Sequence, residues 1–173
     1  KYGGSFRHVV TGIQITGIDK NDKEALIAEL PDGGTTVIHR GVNSLIACVG
    51  KGKCKNGQME TAELADYIER KHYGRKTSHK CKIGISGCGR NCPDSMVKDI
   101  AFIGTSQGFM LAVGGNTGMR PEAGKILMRK LSVEQAKKAA DILIDWYAEN
   151  GEPKERMGKL LERLGNPLEN KTL

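Results

Sequence analysis

Cysteine is the residue of this chain whose spacing most constrains its chemistry. Cys48 and Cys54 enclose five residues, and Cys88 and Cys92 enclose three, the latter inside Ser86-Gly87-Cys88-Gly89-Arg90-Asn91-Cys92. Four thiolates converging from two loops can hold a cubane iron–sulfur cluster. A structural zinc site is the first competitor, but its paired ligands usually enclose roughly two to four residues, so the wider first pair argues modestly against it. A disulfide framework belongs to small secreted chains. This chain has 173 residues, an odd number of cysteines and no apolar signal-like segment. Spacing alone favours the cluster and leaves zinc and buried thiols open.

The elements that must present these thiols follow from pattern. Phe6 to Val10 and Ile13 to Ile18 read as extended segments interrupted by Thr11-Gly12, and Asp19 to Leu30 as a short helix with an apolar stripe at Ala25, Leu26 and Ala28 to Leu30. Pro31-Asp32-Gly33-Gly34 ends that helix, and Thr35 to His39 is a β-branched strand. The first cysteine loop follows. A helix from Thr61 to His72 comes next, opened by Thr61 with a carboxylate nearby and burying Leu64, Tyr67 and Ile68. Lys80 to Ser86 is a strand leading into the second cysteine pair. Pro93 suits a first helical turn, which would set Cys92 just before a helix start. Asp99 to Gly104 and Gly108 to Val113 form a strand pair, and helices over Val133 to Glu149 and Pro153 to Leu164 close the chain.

On the strand ahead of the second pair, Lys80 and Lys82 lie two residues apart, so both project from one face while Cys81 faces the other way as a core thiol. His79 is a candidate proton donor or a capping side chain.

Composition narrows the partners. The formal net charge is +7, with aromatic residues at only 5%. Lysines spread over helices and loops without interleaved aromatics, and no recognised nucleic-acid module is visible, so nucleic acid is not expected as a partner. The cations near the cysteines (Lys51, Lys53, Lys55, Lys80, Lys82 and Arg90) fit an acidic cofactor or small anion better. No stretch reaches the length of a membrane span, so no membrane is expected either. Thiols poised for metal, without a secretory segment, suit the reducing cytoplasm.

Four segments together resemble a known family. They are Ala47 to Cys54, Ile85 to Cys92, Val113-Gly114-Gly115-Asn116, and Trp146 to Glu152 with Arg156-Met157-Gly158. They are similar to the siroheme and [4Fe-4S] half of sulfite and nitrite reductases, over about Phe6 to Leu164, and the Arg-Asn inside the second pair is closest to the large subunit of NAD(P)H-dependent nitrite reductases. The resemblance implies an α+β fold, with a partial ferredoxin-like lobe over 1–42 followed by a nitrite/sulfite reductase 4Fe-4S domain over 43–173. The ferredoxin-like part lacks its first strand and helix, so a fragment of a longer protein, or a product trimmed upstream, is expected.

The same resemblance implies two cofactors. Cys48, Cys54, Cys88 and Cys92 would ligate the [4Fe-4S] cluster, with Cys92 shared as axial ligand of the siroheme iron. Siroheme is a polycarboxylate, and Arg90, Asn91, Asn116, Arg120 and Lys125 are the candidate donors to it. Asn116 is also placed to cap a turn, and Arg120 and Lys125 read equally well as surface residues. Lys80 and Lys82 match the paired lysines that face substrate, a small inorganic anion, sulfite or nitrite. An electron-donor protein or domain is implied, together with a second half-domain or another copy of the chain.

The chain departs from the family's catalytic halves, which carry an arginine after the early strand and another before the first cysteine. Here those places read Val10-Thr11-Gly12 and Asn43-Ser44. Another segment or subunit then completes the pocket, or the chain is a non-catalytic iron–sulfur electron-transfer or structural module without siroheme.

Overall fold

The computed structural model describes residues 3, 5–9, 12–29, 40–169, 171 and 173. Its backbone divides into two compact units, Lys1–Val37 and Ile38–Leu173. In the first unit, β1 (Ser5–Val9) pairs antiparallel with β2 (Gly12–Thr16), with Phe6 opposite Ile15 and His8 opposite Ile13. Helix α1 (Lys23–Glu29) follows; it starts later than its sequence pattern suggests, and Leu26 and Ile27 are its partly buried side chains. The strand expected over Thr35 to His39 lies outside the described residues.

The second unit is a mixed five-stranded sheet covered on one face by helices. Its strands are β3 (Gly41–Ala47), β4 (Lys80–Ser86), β5 (Ile100–Thr105), β6 (Gly108–Val113) and β7 (Lys125–Leu131), side by side in that order. β3, β4 and β5 run parallel, which requires crossovers, whereas β5–β6 and β6–β7 are antiparallel neighbours. Helix α2 (Ala62–His72) makes the first crossover. The second is irregular, with a 3-10 turn at Ser95–Val97.

Alternation along β4 sets up the two faces of the sheet. Cys81, Ile83 and Ile85 are fully buried and meet Leu64, Ala65 and Ile68 of α2 and Ala136, Ala139, Ala140, Leu143, Ile144 and Tyr147 of α3 (Val133–Asn150) in one core. Phe102 and Phe109 meet edge to face there with centroids 6.3 Å apart, an arrangement that adds about 1 kcal/mol to their burial. Helix α3 opens with a capping box: Ser132 Oγ accepts from Gln135 N–H, and Gln135 Oε1 from Ser132 N–H. Helix α4 (Met157–Leu164) adds Met157, Leu160 and Leu161 to this core.

Lys80, Lys82, Gly84 and Ser86 point to the opposite face. A Cβ on Gly84 would stand 2.7 Å from Ser95 Cα, and the Ser86 and Ser95 hydroxyls are 2.9 Å apart. The Ser95–Val97 turn therefore roofs the end of β4 nearest the cysteines, with Met96 against Ala101, Ile103 and Ala112. The two lysines lie beyond that roof.

Besides the late starts of α1 and of α4, which begins at Met157 and not Pro153, three features differ from the sequence expectations. No α-helix follows Pro93: Asn91 and Asp94 take left-handed φ values of 54° and 52°, which break helical continuity, and only the 3-10 turn forms. β3 and β7 are additional strands. β7 lacks apolar–polar alternation because it is an edge strand paired irregularly on one side.

Candidate metal centre

Parallel pairing of β3 with β4 brings both cysteine loops to the same end of the sheet. Cys48 follows β3 directly, and its N–H donates to Ile85 O at 3.0 Å, extending the ladder. Cys88 lies two residues beyond β4. The Gly87 N–H donates to Cys48 Sγ at 3.0 Å, so an amide of the second loop already points at a thiol of the first.

The loops are also knitted through their backbones. Gln58 and Met59 N–H both donate to Gly87 O, at 2.8 and 2.9 Å. Cys54 N–H donates to Gly50 O, and Gly57 N–H to Cys54 O, so Cys54 sits in a closed turn. Gly50 has φ +66°, and a Cβ on Gly87 would meet Gly50 Cα at 2.7 Å. Only glycines let the two loops approach this closely.

Thr61 contributes in an unexpected way. It stands at the N-cap of α2, yet its hydroxyl donates to Cys48 O at 2.5 Å and does not cap the helix. The Glu60 carboxylate accepts from Ala62 and Thr61 N–H instead, and these bonds hold its pKa below the ordinary value.

All five cysteines are free thiols: Cys48, Cys54 and Cys88 are partly buried, Cys92 is exposed, and Cys81 is buried in the core. Burial pushes the Cys81 thiol up, as suits an inert core residue. Among the described residues no three His, Cys, Asp or Glu side chains close around a single metal ion. A lone tetrahedral ion gathers its ligands at about 2.3 Å from one centre, whereas thiolates on a cubane each bind a different iron and stand further apart. An open cleft at Cys88 is lined by Lys55, Asn56, Gly57, Gln58, Cys88, Gly89 and Arg90.

At the other end of β4 lies a basic region. Lys82 N–H donates to Asp99 Oδ2 at 2.9 Å, while Asp99 Oδ1 accepts from Arg156 Nε at 3.1 Å and Nη2 at 2.7 Å. Asp99 is fully buried, and burial raises its pKa against the opposing pull of Arg156. Partial burial lowers the Lys82 pKa, and the charges of Lys80, Lys98 and Arg156 lower it further. His79 is lowered too, by burial and then by Arg156 and Lys80; its Nδ1 accepts from Lys80 N–H.

Residues 39–167 match the family described as the nitrite and sulphite reductase 4Fe-4S domain. The chain belongs to that family. It is 30% identical over 153 residues to an assimilatory-type sulfite reductase of Nitratidesulfovibrio vulgaris, covering 88% of this chain and 70% of the relative. It is 31% identical over 153 residues to a nitrite reductase [NAD(P)H] of Bacillus subtilis, covering 88% of this chain but only 19% of that enzyme. The chain thus spans about a fifth of the larger relative. A solved dissimilatory sulfite reductase I shares the fold at TM-score 0.81 and 14% identity, over 98% of this chain and 62% of that one. The α+β architecture is that of this family.

The 4Fe-4S domain places the remaining sequence candidates unevenly. Arg90 is exposed at the cleft beside Cys88. Asn91 turns inward: its Oδ1 accepts from Met96 N–H at 3.3 Å and from Ser86 Oγ at 3.5 Å, shaping the loop between Cys88 and Cys92. Asn116 Oδ1 accepts from Gly118 N–H at 3.0 Å and its amide reaches Arg120 O, the turn-capping arrangement of an Asx turn. Arg120 and Lys125 are exposed, Lys125 at the start of β7. Sequence reasoning missed Thr61, Asp99 and Arg156. For Asp99 a signal existed, a carboxylate heading an otherwise apolar strand pattern.

The glycine-rich segment and the Arg-Met-Gly segment meet in space. A Cβ on Gly114 would stand 2.8 Å from Gly158 Cα, and Gly114 N–H donates to Asp99 O at 2.8 Å.

Proposed function

We propose that this chain is the cluster-bearing part of a siroheme-dependent reductase acting on sulfite or nitrite. The observation that carries the reading is the junction of the two cysteine loops, where Gly87 N–H meets Cys48 Sγ at 3.0 Å. Four thiols on two loops, one of them approached by the Gly87 amide and the loops lined by glycines, suit a [4Fe-4S] cluster, and Cys48, Cys54, Cys88 and Cys92 would hold it. Cys92, as the exposed thiol, would also face siroheme, with Arg90, Asn91, Asn116 and Arg120 as candidate donors to its carboxylates. When bound, the two cofactors would relay electrons from a separate donor to the anion being reduced.

The chain's own side chains have distinct tasks under this reading. The Gly87 amide offsets negative charge on the Cys48 sulfur, and Lys51, Lys53, Lys55 and Arg90 make the loop end electropositive. Lys80 and Lys82 hold the oxyanion. The lowered pKa of Lys82 brings its ammonium closer to the operating pH, where a proton is released more readily. The domain division at 42/43, a separate electron donor, a second half-domain or second copy, and a cytoplasmic setting belong to the same proposal. Among the described residues no helix is long and apolar enough to cross a membrane.

A specific observation favours a second reading, a non-catalytic iron–sulfur module. The amides of Asn91 and Asn116 are tied into their own loops, and no arginine stands at Asn43-Ser44. Visible absorption separates the two. The full chain, loaded anaerobically with cluster and then with siroheme, is expected to retain Soret and red bands through gel filtration. Those bands should shift on titration with sulfite or nitrite. Retention of cluster absorption alone would leave the second reading.

A further inference from the structure

The arginines absent from the two expected positions have a counterpart elsewhere. Arg156 stands at the N-cap of α4, far from both segments in sequence, yet its guanidinium reaches the edge of β4 through Asp99. Two of its donors, Nε and Nη2, are held by Asp99 Oδ1, while Nη1 makes no hydrogen bond among the described residues. The side chain keeps 23% of its surface exposed, so a solute can reach it. Because Asp99 Oδ2 takes Lys82 N–H, one buried carboxylate fixes the guanidinium and the lysine strand in a common frame.

The surrounding charge is unbalanced. Lys80, Lys98 and Arg156 are the cations that act on the Lys82 ammonium, Asp99 is the carboxylate that faces it, and none of the three lysines has a carboxylate within ion-pair reach among the described residues. Cations set this close around Lys82 with one carboxylate among them repel one another, and a small oxyanion between them relieves that repulsion. A guanidinium recognises the planar edge of an oxyanion through directed N–H bonds, which an ammonium cannot reproduce.

We propose that Arg156 is an oxyanion-contacting residue that completes the Lys80–Lys82 face, with Asp99 as its positioning residue. The inference rests on the reading that these lysines hold an oxyanion. The recognised group is either a free inorganic oxyanion or a carboxylate of the tetrapyrrole. The competing role is a purely structural ion pair that ties α4 to the sheet.

The test uses the full chain with its cluster reconstituted and sulfite as the probe, read by calorimetry. Arg156→Lys keeps the charge, and Asp99→Asn combined with Arg156→Gln replaces the ion pair by a neutral amide pair, so the proposal does not hang on one variant folding. Both are expected to keep cluster content and lose sulfite affinity by about tenfold, the scale of one hydrogen bond to a charged group. If the loss falls instead on siroheme retention, with sulfite affinity intact in the siroheme-free chain, the oxyanion is a tetrapyrrole carboxylate. Unchanged sulfite affinity and unchanged siroheme retention in both variants would overturn the proposal. A Lys80→Met, Lys82→Met chain that loses sulfite binding in that case would leave the lysine reading standing. If that lysine variant also binds sulfite normally, the lysine reading falls too.

Discussion

Two carboxylates in the second unit have similar company and opposite consequences. Asp141 lies in the seam between α2 and α3, where Tyr67 Oη at 2.8 Å, Lys71 Nζ at 2.7 Å and His72 Nε2 at 2.6 Å all meet it. Burial pushes its carboxyl up, but bonds from Lys71, His72 and Tyr67 outweigh burial and hold it below the ordinary value. Around it Lys137 pairs with Glu63 and Glu134, and Arg75 with Asp145. Each of these cations has a carboxylate in reach, and little charge is left to attract a ligand.

At Asp99 burial wins and raises the pKa, and the neighbouring lysines have no acid of their own. The same holds at the cysteine loops, where Lys51, Lys53, Lys55 and Arg90 have no ion pair among the described residues. Paired charge marks the part of the molecule that holds the fold, and unpaired charge marks the part open to anionic groups.

The contrast can be broken from the seam side. Asp141→Ala strips the buried His72 of its partner at Nε2, and its Nδ1 already lacks one. A loss of about 3 kcal/mol in urea unfolding is expected, with cluster content at low temperature unchanged. Because the Asp141 pKa is depressed in the folded state, its stabilisation is present above the unfolded carboxyl value of about 3.9 and fades as pH falls through the folded value. Loss of cluster with little loss of stability would contradict the division of labour.

From the loop side, Gly87→Ala places a methyl 2.7 Å from Gly50 Cα and 3.0 Å from Met59 O, both backbone atoms with little freedom to yield. Separation of the loops is expected to cost about 2 kcal/mol and to lower iron content markedly after reconstitution. Normal iron content would show that the loop junction is not what the cluster needs.

The smallest effect concerns His79. Its pKa is lowered by burial and by Arg156 and Lys80, so the folded state binds fewer protons than the unfolded chain just below about pH 6.5. Stability should fall as pH drops through that window, and His79→Gln should flatten the slope in thermal melts. An unchanged slope would remove His79 from the cationic cluster.

What was legible in the sequence were the elements with strong periodicity. α2, β4, the β5–β6 pair and α3 show their patterns directly, and the opposite orientations of Cys81 and Lys80/Lys82 follow from strand alternation. β3 was hidden because Asn43 sits at a shift in its register and its end merges into the cysteine loop. The helix expected after Pro93 fails because the Asn91 side chain satisfies its own loop first. Thr61 carried a capping signal, but the nearby Cys48 carbonyl captured its hydroxyl. The Asp99–Arg156 pair joins residues 57 apart, a tertiary contact that no local pattern encodes.

The account depends most on the four thiols serving one cluster, and iron and acid-labile sulfide counted in the anaerobically reconstituted chain test this directly. The expected result is about four irons and four sulfides per chain, falling sharply when Cys48, Cys54, Cys88 or Cys92 is replaced by serine and unchanged in Cys81→Ser. Zinc alone, or full iron loading after loss of any of the four, would contradict it.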